Sequence, residues 1–176
     1  EYNPNVGNSA LLGYNSNIAA AFTEADIFFS KKLAAKVGFR VSNNSLLDET
    51  AIAPRFSLAY KVAKSSQFSV AYGDFTQTPK SDYIKYSKFY QFESEKAAHY
   101  ILNYQYNKNG KTLIAEAYYK DYSNLVKYDT PSVQYNSTFN NNGSGYAKGV
   151  DLFWRDGTTF KNLEYWISYS YINSER

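Results

Sequence analysis

Aromatic and lysine side chains are concentrated in one segment of the chain, residues 77–96. This segment holds five aromatic residues, Tyr83, Tyr86, Phe89, Tyr90 and Phe92, interspersed with Lys80, Lys85 and Lys88. Tyrosine joins a flat apolar ring to a hydrogen-bonding tip, which suits stacking on sugar rings or packing against peptides. We therefore interpret the five aromatic residues as candidate ligand-binding residues. The alternative is that the segment packs on neighbouring loops or on a partner lid.

Catalytic and metal-binding chemistry has little support in the sequence. His99 is the only histidine and the chain has no cysteine, so neither a histidine pair nor a thiolate site for metal is available. Glu93 and Glu95 lie beside Lys96, a pattern more typical of solvated loop charges than of an acid/base pair. The stretch 143–145 reads Gly-Ser-Gly, but a strand pattern follows it, so no helix N-terminus is present to bind phosphate. The sequence predicts no enzyme activity, no metal and no cofactor.

Eight segments alternate apolar and polar residues at every second position, which predicts β-strands. The predicted strands are 18–30, 33–42, 53–62, 67–76, 97–106, 112–125, 146–155 and 163–171. The connections between them alternate in length. Tight connections are expected at 31–32, 63–66, 107–111 and 156–162, and long ones at 43–52, 77–96 and 126–145. Asn109-Gly110 and Asp156-Gly157 are hairpin dipeptides, since these residues adopt positive φ at low cost.

The alternation divides the side chains between two faces. On the apolar face, aliphatic residues such as Leu58, Val70 and Leu102 occupy the strand centres, and aromatic residues lie toward both ends. Two aromatic belts around an aliphatic band are typical of a protein that meets both interfaces of a bilayer. The opposite face is polar, and we predict that its charged residues face a lumen: Lys36, Arg40, Arg55, Lys61, Glu116, Lys120, Asp151 and Arg155.

These features predict an all-β protein, an antiparallel up-and-down transmembrane β-barrel segment of about eight strands. Short periplasmic turns and long extracellular loops would join the strands, and residues 1–176 would form one partial barrel domain. A soluble extracellular carbohydrate-binding β-sandwich alternates in the same way and stays as an alternative. The net charge of +3 and the charged fraction of 20% suggest no nucleic-acid partner. No apolar run approaches the ~18 residues of a transmembrane helix.

Five segments resemble the barrel of TonB-dependent outer-membrane receptors, particularly those of Bacteroidetes-type bacteria. They are residues 54–61, 71–79, 95–100, 116–126 and 141–153. The last contains Gly145-Tyr146-Ala147-Lys148-Gly149-Val150-Asp151, similar to a Gly-x-Ala-(Arg/Lys)-Gly-Val-(Glu/Asp) pattern that recurs in the family. Lys148 stands where the family more often has arginine.

The resemblance implies a function in taking up a nutrient ligand across the bacterial outer membrane. It implies as partners outer-membrane lipid, the rest of a barrel of about twenty-two strands, and a plug domain inside it. A TonB complex would act through that plug, which is absent here, and a surface lipoprotein is a candidate lid. We expect an interior piece of a longer receptor, because neither a plug nor a TonB box precedes the strands. A complete small eight-stranded barrel is the alternative.

Overall fold

Eight strands and one short helix make up the part of the chain that the computed structural model describes, residues 14–87, 91–134 and 137–176. The strands are β1 (Ile18–Phe28), β2 (Leu33–Asn44), β3 (Glu49–Ala63), β4 (Ser66–Gln77), β5 (Glu95–Lys108), β6 (Lys111–Tyr128), β7 (Phe139–Phe160) and β8 (Leu163–Glu175). Helix α1 (Ser81–Tyr86) lies between β4 and β5. Within the described ranges, no helix is long and apolar enough to cross a membrane.

The strands form one sheet in sequence order, and every neighbouring pair is antiparallel. This arrangement confirms the predicted fold class and all eight predicted strands. In the described sheet, β1 and β8 each have a single partner strand, so the sheet is open. The alternative of a small barrel closed by these eight strands is therefore wrong for this structure.

No second layer covers the apolar face of the sheet in the described residues. Leu102 is 50% exposed, Ile167 60% and Tyr169 57%, although all three belong to the predicted apolar face. A β-sandwich would bury such side chains between two sheets. The sandwich alternative is therefore wrong, and the exposed apolar face is the surface that a bilayer would cover.

All three connections predicted to be long are shorter in the structure, two of them by half or more. The β2–β3 connection spans only residues 45–48, and the β6–β7 connection spans 129–138. Polar side chains extend the strand pairing here: Asn43 Nδ2 donates to Thr50 Oγ1 over 3.0 Å across the hairpin. The β4–β5 connection, 78–94, remains long and contains α1. This helix has only six residues, too few for a helical period to be recognised in the sequence.

The two predicted hairpin dipeptides behave differently. Asn109 and Gly110 have φ values of 50° and 71°, as the tight β5–β6 turn requires, which confirms that prediction. The prediction of a turn at Asp156-Gly157 is wrong, because β7 continues to Phe160. Asp156 instead accepts hydrogen bonds from the backbone N–H groups of Thr158 and Thr159, both over 2.9 Å, at an irregularity in the pairing of β7 with β8.

Candidate functional site

The predicted lumen-facing charges all lie on one face of the sheet. Directly paired residues of an antiparallel sheet point to the same side, and side chains alternate along each strand. Arg55 pairs with Gly38 and Gly73, and from Gly73 the register continues through His99 to Lys120. The other members of the predicted set share this parity: Lys36, Arg40, Lys61, Glu116, Asp151 and Arg155. Their contact with a lumen stays a prediction.

Some charged side chains of this polar face form ion pairs with neighbouring side chains. Lys36 Nζ lies 3.7 Å from Glu24 Oε2 and 3.6 Å from Asp26 Oδ1. Toward the tight turns, Arg155 pairs with Glu164. The side chains in the Lys36–Glu24 and Arg155–Glu164 pairs are about half exposed, so these ion pairs add little stability.

Two carboxylates face each other on neighbouring strands of the same polar face. Glu116 of β6 is the register partner of Asp151 of β7, so two like charges stand directly opposite each other. Asn103 Nδ2 donates to Glu116 Oε2 over 3.2 Å. A direct like-charge pair weakens a sheet, so this arrangement costs stability and makes the face locally negative.

A small recess opens nearer the loop end of the polar face. Its floor is made by small residues, including Gly38 and Gly73, and its cavity volume is about 220 Å³. The guanidinium carbon of Arg55 lies 4.9 Å from the centre of the Phe75 ring, and the Phe75 and His99 rings are 4.4 Å apart. The cation and the two rings form a contiguous unit at the edge of the recess.

Aromatic residues form a row on the opposite, apolar face. Phe56, Tyr72, Tyr100 and Tyr119 are successive register partners across β3 to β6. Ring centres are 5.1 Å apart for Tyr72 and Tyr100, and 6.4 Å apart for Tyr100 and Tyr119. Nearer the tight turns, Phe68 and Tyr104 form a second contact at 4.7 Å. Two aromatic zones on one face fit the two interfaces of a membrane.

Three of the five candidate ligand-binding aromatic residues lie in or against a packed cluster of the described residues. Tyr83 is 8% exposed and Phe92 4%, and both pack in a loop cluster with Leu47, Val126 and Phe139. Tyr86 packs against this loop cluster and is half-buried. Phe89 and Tyr90 lie outside the described residues. Because Tyr83 and Phe92 are buried, they do not form an open stacking platform, and ligand contact by any of the five stays a prediction.

Glutamates hold the loop cluster to the strand ends. Glu49 Oε2 accepts from the Ser94 backbone N–H over 2.8 Å, and Glu93 Oε2 accepts from Asn124 Nδ2 over 2.9 Å. Glu95 Oε1 accepts from the Val126 backbone N–H over 3.1 Å. We expect Glu93 and Glu95 to be solvated loop charges; Glu93 is exposed and Glu95 is half-buried, and both also accept hydrogen bonds from groups of β6. The contacts support the alternative that segment 77–96 packs on neighbouring loops.

A larger groove lies at the loop end of the polar face, where the ends of β4 to β8 form most of its lining. Its cavity volume is about 900 Å³, and its lining includes Lys80, His99, Tyr122 and Arg176. Arg176 Nη2 lies 3.5 Å from Glu95 Oε1 at its edge. Sequence reasoning missed this groove, because its lining comes from separate segments that only the sheet register brings together. In the described ranges, no group of three potential ligands could hold a metal ion.

A family profile described as TonB dependent receptor-like, beta-barrel matches residues 1–176. No curated protein matches the chain. Among solved structures, the chain is similar to the siderophore receptor PirA from Pseudomonas aeruginosa, with a TM-score of 0.75 and 13% identity over 90% of this chain and 32% of that one. It is also similar to the FrpB iron transporter from Neisseria meningitidis, with a TM-score of 0.75 and 14% identity over 90% of this chain and 26% of that one. A third similar structure is the outer membrane transporter YddB from Escherichia coli, with a TM-score of 0.75 and 14% identity over 90% of this chain and 24% of that one.

This chain spans between about a quarter and a third of these three structures, all of which share its strand arrangement. The family match covers every segment that carried the resemblance, and it confirms the predicted family and its outer-membrane location. The narrower Bacteroidetes-type resemblance stays a prediction. The chain belongs to the TonB-dependent receptor-like β-barrel family, whose members are bacterial outer-membrane proteins.

Proposed function

We propose that this chain forms part of the barrel domain of a receptor that takes up a nutrient ligand across the bacterial outer membrane. The observation that carries the proposal is the division of the sheet into two faces. One face is apolar, exposed and edged by aromatic rows, and the other is polar with a groove at its loop end. A barrel wall between lipid and an aqueous lumen requires this division.

The strands supply the wall because lipid offers no hydrogen-bonding partner for backbone groups. The chain would bind outer-membrane lipid through its apolar face and a plug domain through its polar face. Energy for uptake would come from a TonB complex acting on that plug. A surface lipoprotein could cover the loop end, where the loop cluster presents a packed surface. This segment would have no catalytic role.

The structural neighbours are a siderophore receptor, an iron transporter and an outer membrane transporter, by their names. At 13–14% identity this likeness shows the fold alone. Iron chelates, cobalamin, glycans and peptides are therefore all candidate ligands to be tested together.

The test compares bacteria with and without the intact receptor on a panel of these nutrient sources, in TonB-competent and TonB-deficient backgrounds. We expect the receptor to fractionate with the outer membrane, and its deletion to slow growth on one source only when TonB is active. Recovery of the intact receptor in the aqueous fraction, or growth independent of both receptor and TonB on every source, would contradict the proposal.

A further inference from the structure

Toward its loop end, the polar face carries three cations without a carboxylate partner in the described residues. They are Arg40 of β2, Arg55 of β3 and Lys120 of β6, and none of them belongs to an ion pair there. Arg40 and Arg55 are exposed and Lys120 is half-buried. The nearby Lys36 differs, because two carboxylates already neutralise it.

These cations lie toward the loop end of their strands and belong to neighbouring parts of one surface. Arg55 and Lys120 are joined by the register row that passes through Gly73 and His99. Arg40 and Arg55 together border another small cavity, with Glu24 as its acidic residue. Glu24 already forms an ion pair with Lys36, so the group made by Arg40, Arg55 and Lys120 keeps a net positive charge.

Aromatic rings keep two of the cations in place without neutralising them. Arg55 lies over Phe75, and Lys120 Nζ lies 5.0 Å from the centre of the Tyr118 ring. A cation on a ring face keeps its full charge and loses side-chain freedom, so it is positioned to meet an anion.

The positive region ends abruptly along β6. Four residues beyond Lys120, at about 13 Å along the strand, Glu116 faces Asp151. An anion near the loop end is attracted by Arg40, Arg55 and Lys120, and an anion farther down meets two carboxylates. The charge pattern therefore favours one depth for an anionic group.

We propose that the polar face holds an anionic small-molecule ligand at its loop end, through Arg40, Arg55 and Lys120. The inference rests on the proposed uptake function and narrows its substrate class to molecules with exposed carboxylate, phosphate, sulfonate or phenolate groups. The Phe75 and His99 rings would contact the flat part of such a molecule, and the small-residue recess beside them would receive it.

The test uses the intact receptor, purified in detergent, and two fluorescent pyrenes of similar size: pyrene trisulfonate and a pyrene with three trimethylammonium groups. We expect the trisulfonate to bind more tightly than the cation, and more weakly as salt rises. In Arg55→Gln/Lys120→Gln its Kd should rise about tenfold. Equal binding of both probes, or an unchanged Kd in this variant, would overturn the inference.

A matched control lies on the same strand as Arg55. Lys61 shares its face but lies six residues away, about 20 Å nearer the tight turns. Lys61→Gln removes one positive charge, as Arg40→Gln does, and should leave the Kd within about twofold. Arg55→Lys/Lys120→Arg keeps the charges and should keep most of the binding. If the double variant does not assemble, Arg40→Gln carries the test, with a raised Kd expected and an unchanged one contradicting it.

Failure of this inference is distinguishable from failure of the proposed function. Probe binding is measured on purified receptor and does not depend on TonB. TonB-dependent growth together with equal binding of the two probes would contradict only the inference of an anionic ligand. If deletion of the receptor did not affect growth while the purified receptor bound the trisulfonate selectively, only the proposed uptake function would be contradicted.

Discussion

The Tyr118 ring of β6 lies across Gly149 of β7, its register partner on the polar face. A Cβ at Gly149 would lie 2.5 Å from Tyr118 Oη and 2.7 Å from Tyr118 Cζ, and would also contact the backbone oxygen of Tyr171. Gly149 belongs to the Gly-x-Ala-Lys-Gly-Val-Asp pattern of the sequence. The pattern therefore has a packing reason: the second glycine makes room for an aromatic side chain that lies flat on the sheet.

Gly149→Ala should destabilise the folded receptor by about 1–3 kcal/mol, because the added methyl group would overlap the Tyr118 ring and the backbone oxygen of Tyr171. Thermal unfolding in detergent measures the effect. Gly157→Ala is the matched control, since its nearest contact would be Glu164 Cγ at an ordinary 3.6 Å. Equal unfolding temperatures for the two variants would show that Tyr118 does not require the glycine.

Leu102→Arg should impair assembly in the outer membrane by about 2–4 kcal/mol, because the charge would face lipid near the middle of β5. Leu58→Arg should act in the same way on β3. The matched control is Asn103→Arg, one residue along, which places the same charge on the polar face beside Glu116. The amount of heat-modifiable folded receptor in the outer-membrane fraction measures assembly. Normal assembly of both leucine variants would reverse the assignment of the faces.

Phe92→Ala should loosen the loop cluster, because Phe92 packs edge-on against Phe139 at 5.6 Å between ring centres. Buried Phe→Ala changes cost about 3–5 kcal/mol in a protein core. We therefore expect faster hydrogen exchange in α1, in residues 91–94 and in the start of β7. Phe160→Ala, at a position that is 55% exposed, should leave this exchange unchanged. Unaltered exchange in Phe92→Ala would show that Phe92 is not a structural residue of the loop cluster.

Asp156 should make stability depend on acid pH. It pairs with Lys111, the first residue after the β5–β6 turn, at the tight-turn end of the sheet, and is 2% exposed. Hydrogen bonds from the Thr159 hydroxyl and from the backbone N–H groups of Thr158 and Thr159, with Lys111 nearby, hold the pKa of the Asp156 carboxyl well below its usual range. Since the folded pKa is lowered, the contribution is present above the ordinary pKa of about 3.8 and is lost as pH falls below it.

Unfolding temperatures measured in detergent between about pH 7 and pH 3 test this dependence. The Asp156→Asn variant should be less stable at neutral pH, and its difference from wild type should shrink toward the acid end. Thr159→Val should lower stability in the same direction, because it removes the leading hydrogen bond. Parallel curves for wild type and Asp156→Asn would contradict the assignment.

Strand positions and faces could be predicted from this sequence because they depend on local alternation. Leu58, Val70 and Leu102 mark the apolar face by their spacing alone, and the sheet register keeps them together. Asn109-Gly110 marks its turn for an equally local reason, since both residues tolerate positive φ. Asp156-Gly157 carries the same kind of signal, but the carboxylate of Asp156 binds the following backbone and moves the turn to Lys161-Asn162.

The loop region is where local reasoning was insufficient. The aromatic residues of segment 77–96 suggested a binding surface, and their composition is equally suited to burial. Tyr83 and Phe92 are buried because Leu47, Val126 and Phe139 reach them from three other parts of the chain. Such contacts depend on which strand ends lie side by side, which no short window of sequence contains.

The sequence by itself determined the period of two, the polarity of each face and the family pattern around Gly149, because these follow from neighbouring residues. The tertiary structure decided that the sheet is open, that the aromatic loop is packed, and that Arg55 and Lys120 share a row across four strands. The physical reason is that strand pairing joins residues far apart in the chain, and only the resulting register brings their charges and side-chain volumes together.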